Sequence, residues 1–225
     1  MRIGIIAAMN KELELMLPML QGHRRIEHEG FTFHEGTIGA HDVVMMQCGI
    51  GKVNAAMGTM AMISHFAPHK IINSGVAGGA DKRVSVMDVV AGERVAYHDV
   101  WCGPECELGK VQGLPLYYRG DESLLALLPQ RPDVKPGLIC SGDQFIDKIE
   151  AVEAIKNNFP DALAVDMESG AIAQVCHVRQ VPFLSLRVIS DSPGASHDNT
   201  AQYVDFWSDA PQHTFALVKN LLSSL

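Results

Sequence analysis

The chain has 225 residues, 47% of them hydrophobic, which suits one domain, residues 1–225, with a substantial core. Eighteen Lys and Arg against 26 Asp and Glu leave a net charge of −8, and no cationic run is long enough to track a phosphate backbone, which argues against a nucleic-acid partner. No apolar run approaches the roughly 18 to 20 residues that span a bilayer, and the first residues lead straight into a strand-like segment, not a secretory core, so a cytoplasmic protein with no membrane partner is expected.

In chain order, "RIGIIAA" (2–8), "FTFHEGTI" (31–38), "HDVVMMQC" (41–48), "KIINSG" (70–75), "DVVAGERVA" (88–96), "GLICSG" (137–142), "ALAVDM" (162–167) and "FLSLRVIS" (183–190) read as strands: short, apolar and bounded by Gly, Pro or polar residues. The second and third of these, joined at Gly39 and Ala40, form an expected antiparallel hairpin. Helical periodicity covers 11–17 with Asn10 as cap, 53–66 before Pro68, 149–159 before Pro160, 168–178 and 215–225. Near-continuous apolar strands alternating with helices predict an α/β fold, a three-layer α/β/α sandwich around a central mixed sheet. The stretch 100–136, rich in Gly and Pro, reads as a long excursion with one short helix at 124–128. Met57, Met60 and Met62 on the helix from Val53 read as core or as a helix interface, an oligomer contact in the sharper form.

The five cysteines are odd in number and scattered, which is no disulfide framework. Cys102 and Cys106 lie near His98 and Asp99, but their spacing fits no common zinc knuckle and a fourth ligand is lacking, so two ordinary thiols and no metal are expected. Two glycine-rich turns, "CGIGKVNAA" and "NSGVAGGA", match neither phosphate-loop nor dinucleotide spacing. At strand ends such turns admit backbone amides to a small ligand, which would place Ile50 in one and Val76, Ala77 and Gly78 in the other beside it; a plain tight turn is the equal alternative for either alone.

Four acids share a setting: Glu12 after the first strand, Asp166 and Glu168 after "ALAV", and Asp191 after "FLSLRVIS". If the strands run parallel, all four reach one edge of the sheet, and alternation puts Arg187 and Asp191 on one face with Ile189 between them. Any one of these acids alone is more simply a helix cap or a solvated group. Several converging on one edge suit glycosidic cleavage, in which one carboxyl activates water and another protonates the leaving group, and burial raises a carboxyl pKa enough to hold that proton.

"IGIIAAMNKELELM", "CGIGKVNAA", "INSGVAGG", "VAYHD", "SGDQFI", "NFPDALAVDMESGAIAQVCH" and "VPFLSLRVISD" together resemble the bacterial methylthioadenosine/S-adenosylhomocysteine nucleosidases of the purine nucleoside phosphorylase superfamily, over most of residues 1–99 and 137–192. The resemblance implies a hydrolase acting on an adenine nucleoside without metal or organic cofactor, as a homodimer in which a partner loop helps to close the pocket. It implies that Glu12 activates the water and that Asp191, next to Ser190, protonates the purine. Phe145 would stack on adenine and the Ile146 backbone would pair with its edge. Glu168 would bind the ribose hydroxyls with Met167 against the sugar and Asp166 beside it, Arg187 would fix the water and the acids, and Met9 and Ile50 would line the sugar and alkylthio side. Three departures stand out: Val76 where a Ser or Thr is usual, Asp166 where a Glu is usual, and the divergent stretch 100–118 at the lid. Phosphorolysis, hydrolysis of a futalosine-type nucleoside and non-catalytic nucleoside binding are the competing functions. A carboxylate at the anion site disfavours the first through repulsion, and retention of Glu12, Glu168, Arg187 and Asp191 disfavours the last.

Overall fold

In the computed structural model, residues 1–192, 203, 206–207 and 211–225 are described. Strand β1 (Arg2–Ala7) is buried from Ile3 onward, as an uninterrupted apolar run requires of a central strand. It pairs in parallel with β4 (His41–Gln47) on one side and with β5 (Lys70–Gly79) on the other. Beyond β4 the sheet continues antiparallel through β3 (Phe31–Ile38) to β2 (Gln21–His28). The expected hairpin is present: Ile38 pairs with His41 across a turn in which Gly39 has φ +58°. Strand β2 was not expected, because "QGHRRIEH" is polar and largely exposed along its length, so no alternation marks it.

On the other side the sheet curls. β5 pairs in parallel with β10 (Phe183–Asp191), β10 antiparallel with β6 (Val89–Tyr97), β6 in parallel with β8 (Val134–Ser141), and β8 in parallel with β9 (Ala162–Asp166). β9 then returns to β5, antiparallel, at Gly78 with Val165 and Gly79 with Ala164. β1 occupies the β5 edge at residues 70–73 and β9 takes up that edge again at 78–79, so five strands close into a ring. A two-residue strand, β7 (Tyr118–Arg119), pairs with β6. The sheet is mixed, as read from the sequence; the closure was not legible there, since it depends on a two-residue pairing between segments over 80 residues apart.

Adjacent residues of the central strands feed opposite faces. Ile6 and Ile71 join a cluster with Met62, Phe66 and Ile172, while Ile5 and Ile72 join one with Leu13, Met16 and Leu221. Helices α2 (Lys52–Phe66) and α5 (Ser169–Arg179) pack together over the first face; α1 (Asn10–Met16) and α6 (Pro211–Ser223) cover the second. A third cluster seats α4 (Ile149–Asn158) through Val152 and Ile155 against Leu138 and Cys140 of β8. The short helix of the excursion, α3 (Glu122–Leu125), starts two residues before its expected position, because the Asp121 carboxylate accepts the Leu124 N–H and caps it there.

One local expectation is corrected. Asn10 is not the cap of α1: Met9 is, and Asn10 lies inside the helix donating to Glu14 at 2.6 Å. The methionines of α2 also divide, Met62 being buried in the core while Met57 and Met60 are exposed. All five cysteines are free. Among the described residues no helix is long and apolar enough to cross a membrane. Ile139 sits fully buried in the closed ring; Ile139→Ala should lower unfolding free energy by about 2 to 5 kcal/mol in urea titration, and an unshifted midpoint would show that the ring is not a packed core.

Candidate active site

The strands that carry the acids do not all run one way. β1, β5 and β10 are parallel, whereas β9 is antiparallel to β5 and β6 is antiparallel to β10. The sequence-based condition of a common parallel edge therefore fails. The acids nevertheless meet, because the carboxyl ends of β5 and β9 overlap head to head at residues 78–79 and 164–165, and a pocket opens where the two opposed sets of strands converge. All fourteen predicted site residues line it: Met9, Glu12, Ile50, Val76, Ala77, Gly78, Phe145, Ile146, Asp166, Met167, Glu168, Arg187, Ser190 and Asp191.

At its floor lies Arg187, 1% exposed. A buried guanidinium is tolerable only if its donors and its charge are both answered. Nε lies 2.7 Å from Asp166 Oδ2 and donates to Ser169 Oγ at 3.1 Å; Nη2 donates to Asn73 Oδ1 at 2.7 Å and to Glu168 Oε2 at 3.3 Å; Nη1 donates to the Val76 carbonyl at 3.3 Å. Asp166 is committed to this scaffold, since besides Arg187 it accepts from Ser141 Oγ at 2.6 Å and from the Ser169 N–H and hydroxyl at the start of α5. The geometry thus makes Asp166 an anchor for Arg187 and a cap for α5, with its oxygens turned to protein donors.

Glu12 is fully buried on the first turn of α1. Its Oε2 accepts from the N–H groups of Ala8 and Met9, each at 2.9 Å, and its Oε1 from the Val76 N–H at 3.0 Å. Burial pushes this carboxyl above its ordinary pKa, against the Arg187 charge and the three amides. Val76 brings no hydroxyl, but its backbone N–H and carbonyl tie Glu12 to Arg187. That close approach needs Gly75: a Cβ there would stand 2.4 Å from Arg187 Nη1 and 2.8 Å from Glu12 Oε1.

Glu168 precedes α5 at its N-cap position and accepts from the Gly51 N–H at 3.0 Å. Burial pushes its pKa up to about 7, with Asp166 and Glu12 adding to the rise and Arg187 and the Gly51 amide opposing it. Asp191 is 1% exposed and accepts from the Ser190 hydroxyl at 2.7 Å. Simple alternation does not bring it there: the β10 to β5 register shifts between Ile189 and Asp191, so Ser190 and Asp191 both reach the pocket while Ile189 stays in the core. Such a bulge re-aims side chains where a regular strand cannot. At the mouth, Phe145 and Ile50 are about half exposed.

Four further residues line the pocket without having been expected: Ala8, Gln144, Val165 and Tyr203. Tyr203 meets the Phe145 ring edge to face at 6.0 Å and its hydroxyl lies 3.4 Å from Met9 Sδ. No strand or helix signal covered it, and it reaches the site only through folding of the C-terminal part over α1, where the Lys11 ammonium stands 3.9 Å from the centroid of Trp207. Among the described residues no group of three or more His, Cys, Asp or Glu is placed to hold a metal ion.

Residues 2–223 match the family model described as the phosphorylase superfamily. Over 232 aligned positions covering all of both chains, the protein is 36% identical to a 5′-methylthioadenosine/S-adenosylhomocysteine nucleosidase of Lysinibacillus sphaericus. The chain belongs to that nucleosidase family. A solved nucleosidase of this kind from S. pneumoniae, in complex with the transition-state inhibitor MT-ImmA, is 35% identical with a TM-score of 0.93 over all of this chain and 99% of its own. A futalosine hydrolase of Helicobacter pylori is also similar, 29% identical with a TM-score of 0.91 over all of this chain and 98% of its own.

For this nucleosidase-family chain the acid cluster has a pH signature. Glu168 holds its proton up to about 7 in the folded protein but releases it near the ordinary value of 4.5 once unfolded. Its contribution to stability is therefore fully present below the unfolded value and is lost as pH rises through the folded one. Relative to Glu168→Gln, the wild-type protein should lose unfolding free energy between about pH 4.5 and 7; parallel stability profiles of the two across that window would contradict the shift.

Proposed function

We propose that this chain hydrolyses the N-glycosidic bond of adenine thionucleosides, the methylthioadenosine and S-adenosylhomocysteine for which its relatives are named, releasing adenine and the thioribose. One observation carries hydrolysis over phosphorolysis. The backbone donors of Ala8, Met9 and Val76, which together could cradle an anion, all converge on the Glu12 carboxylate. A phosphate entering there would meet a carboxylate in place of free donors.

In this reading water attacks C1′ of the ribose. Glu12 accepts the proton that the water loses, and its raised pKa brings it nearer the range in which a general base works at neutral pH. The bonding pair of C1′–N9 passes into the purine, and protonated Asp191 delivers a proton to N7, so adenine leaves neutral. Charge on the ribose grows positive along the way, and the surrounding carboxylates Glu12 and Glu168 are the groups able to offset it. Phe145 offers its half-exposed ring for stacking on the base, and the Ile146 backbone is beside it to meet the base edge. Glu168 accepts from the ribose hydroxyls, Met167 packs on the sugar, and Met9 and Ile50 flank the alkylthio side. Arg187 fixes the acids from beneath, and because Val76 brings no hydroxyl, placement of the water rests on Glu12, Arg187 and backbone groups.

The working unit in this reading is a homodimer. Val53, Met57 and Met60 of α2 and Val178 of α5 are 40 to 69% exposed, a run of large apolar side chains on neighbouring helices that water covers poorly. The α2 end of this face leads directly into the turn that carries Ile50 at the pocket mouth. A second copy of the chain is the occupant we assign to it.

Incubated with methylthioadenosine in phosphate-free buffer, the protein should release adenine at a rate that added phosphate leaves unchanged. Asp191→Asn should keep the fold by circular dichroism and lose at least about 100-fold in turnover. A strict phosphate requirement would make the protein a phosphorylase; binding of thionucleosides without release would make it a binding protein; release from a futalosine-type nucleoside alone would redirect the substrate. In sedimentation equilibrium the wild type should have the mass of two chains and Met57→Glu that of one. A monomeric wild type at all concentrations would remove the dimer from this account.

A further inference from the structure

Two turns line the mouth of the pocket, and one charged cluster outside the catalytic machinery joins them to the turn after β6. The first turn, between β4 and α2, holds Ile50 and Gly51; the second follows β6 and holds Asp99; the third follows β8 and runs from Asp143 to Phe145 and Ile146. Lys52 Nζ donates to Asp99 Oδ2 at 2.7 Å, and that same oxygen accepts the Asp143 N–H at 2.9 Å. Asp143 Oδ1 in turn accepts the Lys52 N–H at 2.7 Å, and its other oxygen lies 3.9 Å from Lys52 Nζ. The three residues therefore close a cycle in which each turn is bonded to both others. Asp99 and Lys52 are about four-fifths buried, so the charge-assisted bond between them is partly shielded from water and stronger than a surface pair.

Two of the turns hand this order to groups that face the substrate. Gly51, directly before Lys52, adopts φ +93° and its N–H is the donor to Glu168. A Cβ at Gly51 would stand 3.1 Å from Asp143 Oδ1, so the first turn lies flush on the third. Phe145, two residues beyond Asp143, is half exposed and has no strand or helix to hold it. We infer that Lys52, Asp99 and Asp143 are positioning residues, a clasp that holds Phe145 in register for the base and the Gly51 amide in register for Glu168. None of the three lines the pocket, so their influence on the reaction passes through those two groups. This inference rests on the nucleosidase reading for its kinetic consequence and on geometry alone for the clasp.

A clasp of this kind acts on the ground-state fit of the substrate more than on the chemical step, which Glu12 and Asp191 carry, so its loss belongs mainly in KM. Asp99→Asn is expected to raise KM for methylthioadenosine on the order of tenfold while kcat changes less than about threefold, since a hydrogen bond to a charged group is worth roughly that factor or more. Amide exchange in the ligand-free protein, read by mass spectrometry over peptides covering 142–147, should accelerate by on the order of tenfold in the same variant, with α4 unchanged. Should Asp99→Asn fail to fold, Lys52→Met, which leaves both backbone bonds to the carboxylates in place, is read by the same two measurements. Unaltered exchange at 142–147 in a folded variant overturns the clasp whatever the enzyme does. Faster exchange with KM unchanged, or a loss confined to kcat, overturns its role at the substrate. A wild type that releases no adenine defeats the nucleosidase reading and leaves the exchange result to decide the clasp.

Discussion

A guanidinium removed almost completely from water sets the terms for this protein. Arg187 lies beneath the pocket with no solvent to share its charge, and an unanswered cation there would cost several kcal/mol. The protein answers it from four directions: Asp166 from the end of β9, Glu168 from the start of α5, Asn73 from within β5 and the Val76 carbonyl from the same strand further on. Each partner belongs to a different stretch of sequence or strand position, so pairing Arg187 also ties β5, β9, β10 and α5 to one another. The acids left within reach of the substrate inherit their poise from this arrangement. Glu12 and Glu168 are raised by burial and restrained by the one cation they share.

The two acids that flank Met167 illustrate how environment separates residues of like chemistry. Asp166 spends its oxygens on Arg187, Ser141 and Ser169, and does the work of an anchor and a helix cap. Glu168, two residues on, takes one backbone amide and one arm of Arg187, and is held at the pocket surface with a pKa displaced toward neutrality. The shorter side chain at 166 suits an anchor, whose partners are fixed protein groups at hydrogen-bond distance. Val76 is a similar case. A hydroxyl is usual there in the family that this chain resembles, yet the backbone at Val76 still bridges Glu12 and Arg187, and Gly75 leaves the space in which they approach.

Closure of the sheet explains why a single pocket gathers residues from opposed strands. In an open parallel sheet, carboxyl ends share an edge because the strands share a direction. Here β9 runs against β5, and the two meet only over residues 78–79 and 164–165. The head-to-head overlap brings the turn after β9 to the turn after β5, and the bulge after Ile189 then turns Ser190 and Asp191 into the same space. The clasp at Lys52, Asp99 and Asp143 draws on the same sheet: two of its turns are neighbours because β6 and β8 pair in parallel as far as Tyr97 with Ser141, and the turn after β4 is bonded to both.

What the sequence determined by itself was local or carried by type. Apolar runs marked the buried strands β1, β4, β5, β6, β8, β9 and β10, because a strand covered on both faces must be apolar throughout. The residues that line the pocket were legible because acids and glycines at strand ends are unusual enough to be noticed, and because their motifs resemble those of a known family. The polar edge strand β2 left no such mark, and Asn10 looked a better cap than Met9 because cap preference knows nothing of Glu12 reaching back to the backbone. Tertiary structure alone decided that opposed strands would deliver their acids to one place, that Asp166 would be bound to Arg187, Ser141 and Ser169, and that Tyr203 would reach Phe145 from the far end of the chain. The physical reason is common to all three. Direction of pairing, burial of charge and the closing of a ring are set by contacts between residues far apart in the chain, and no window of sequence contains both partners.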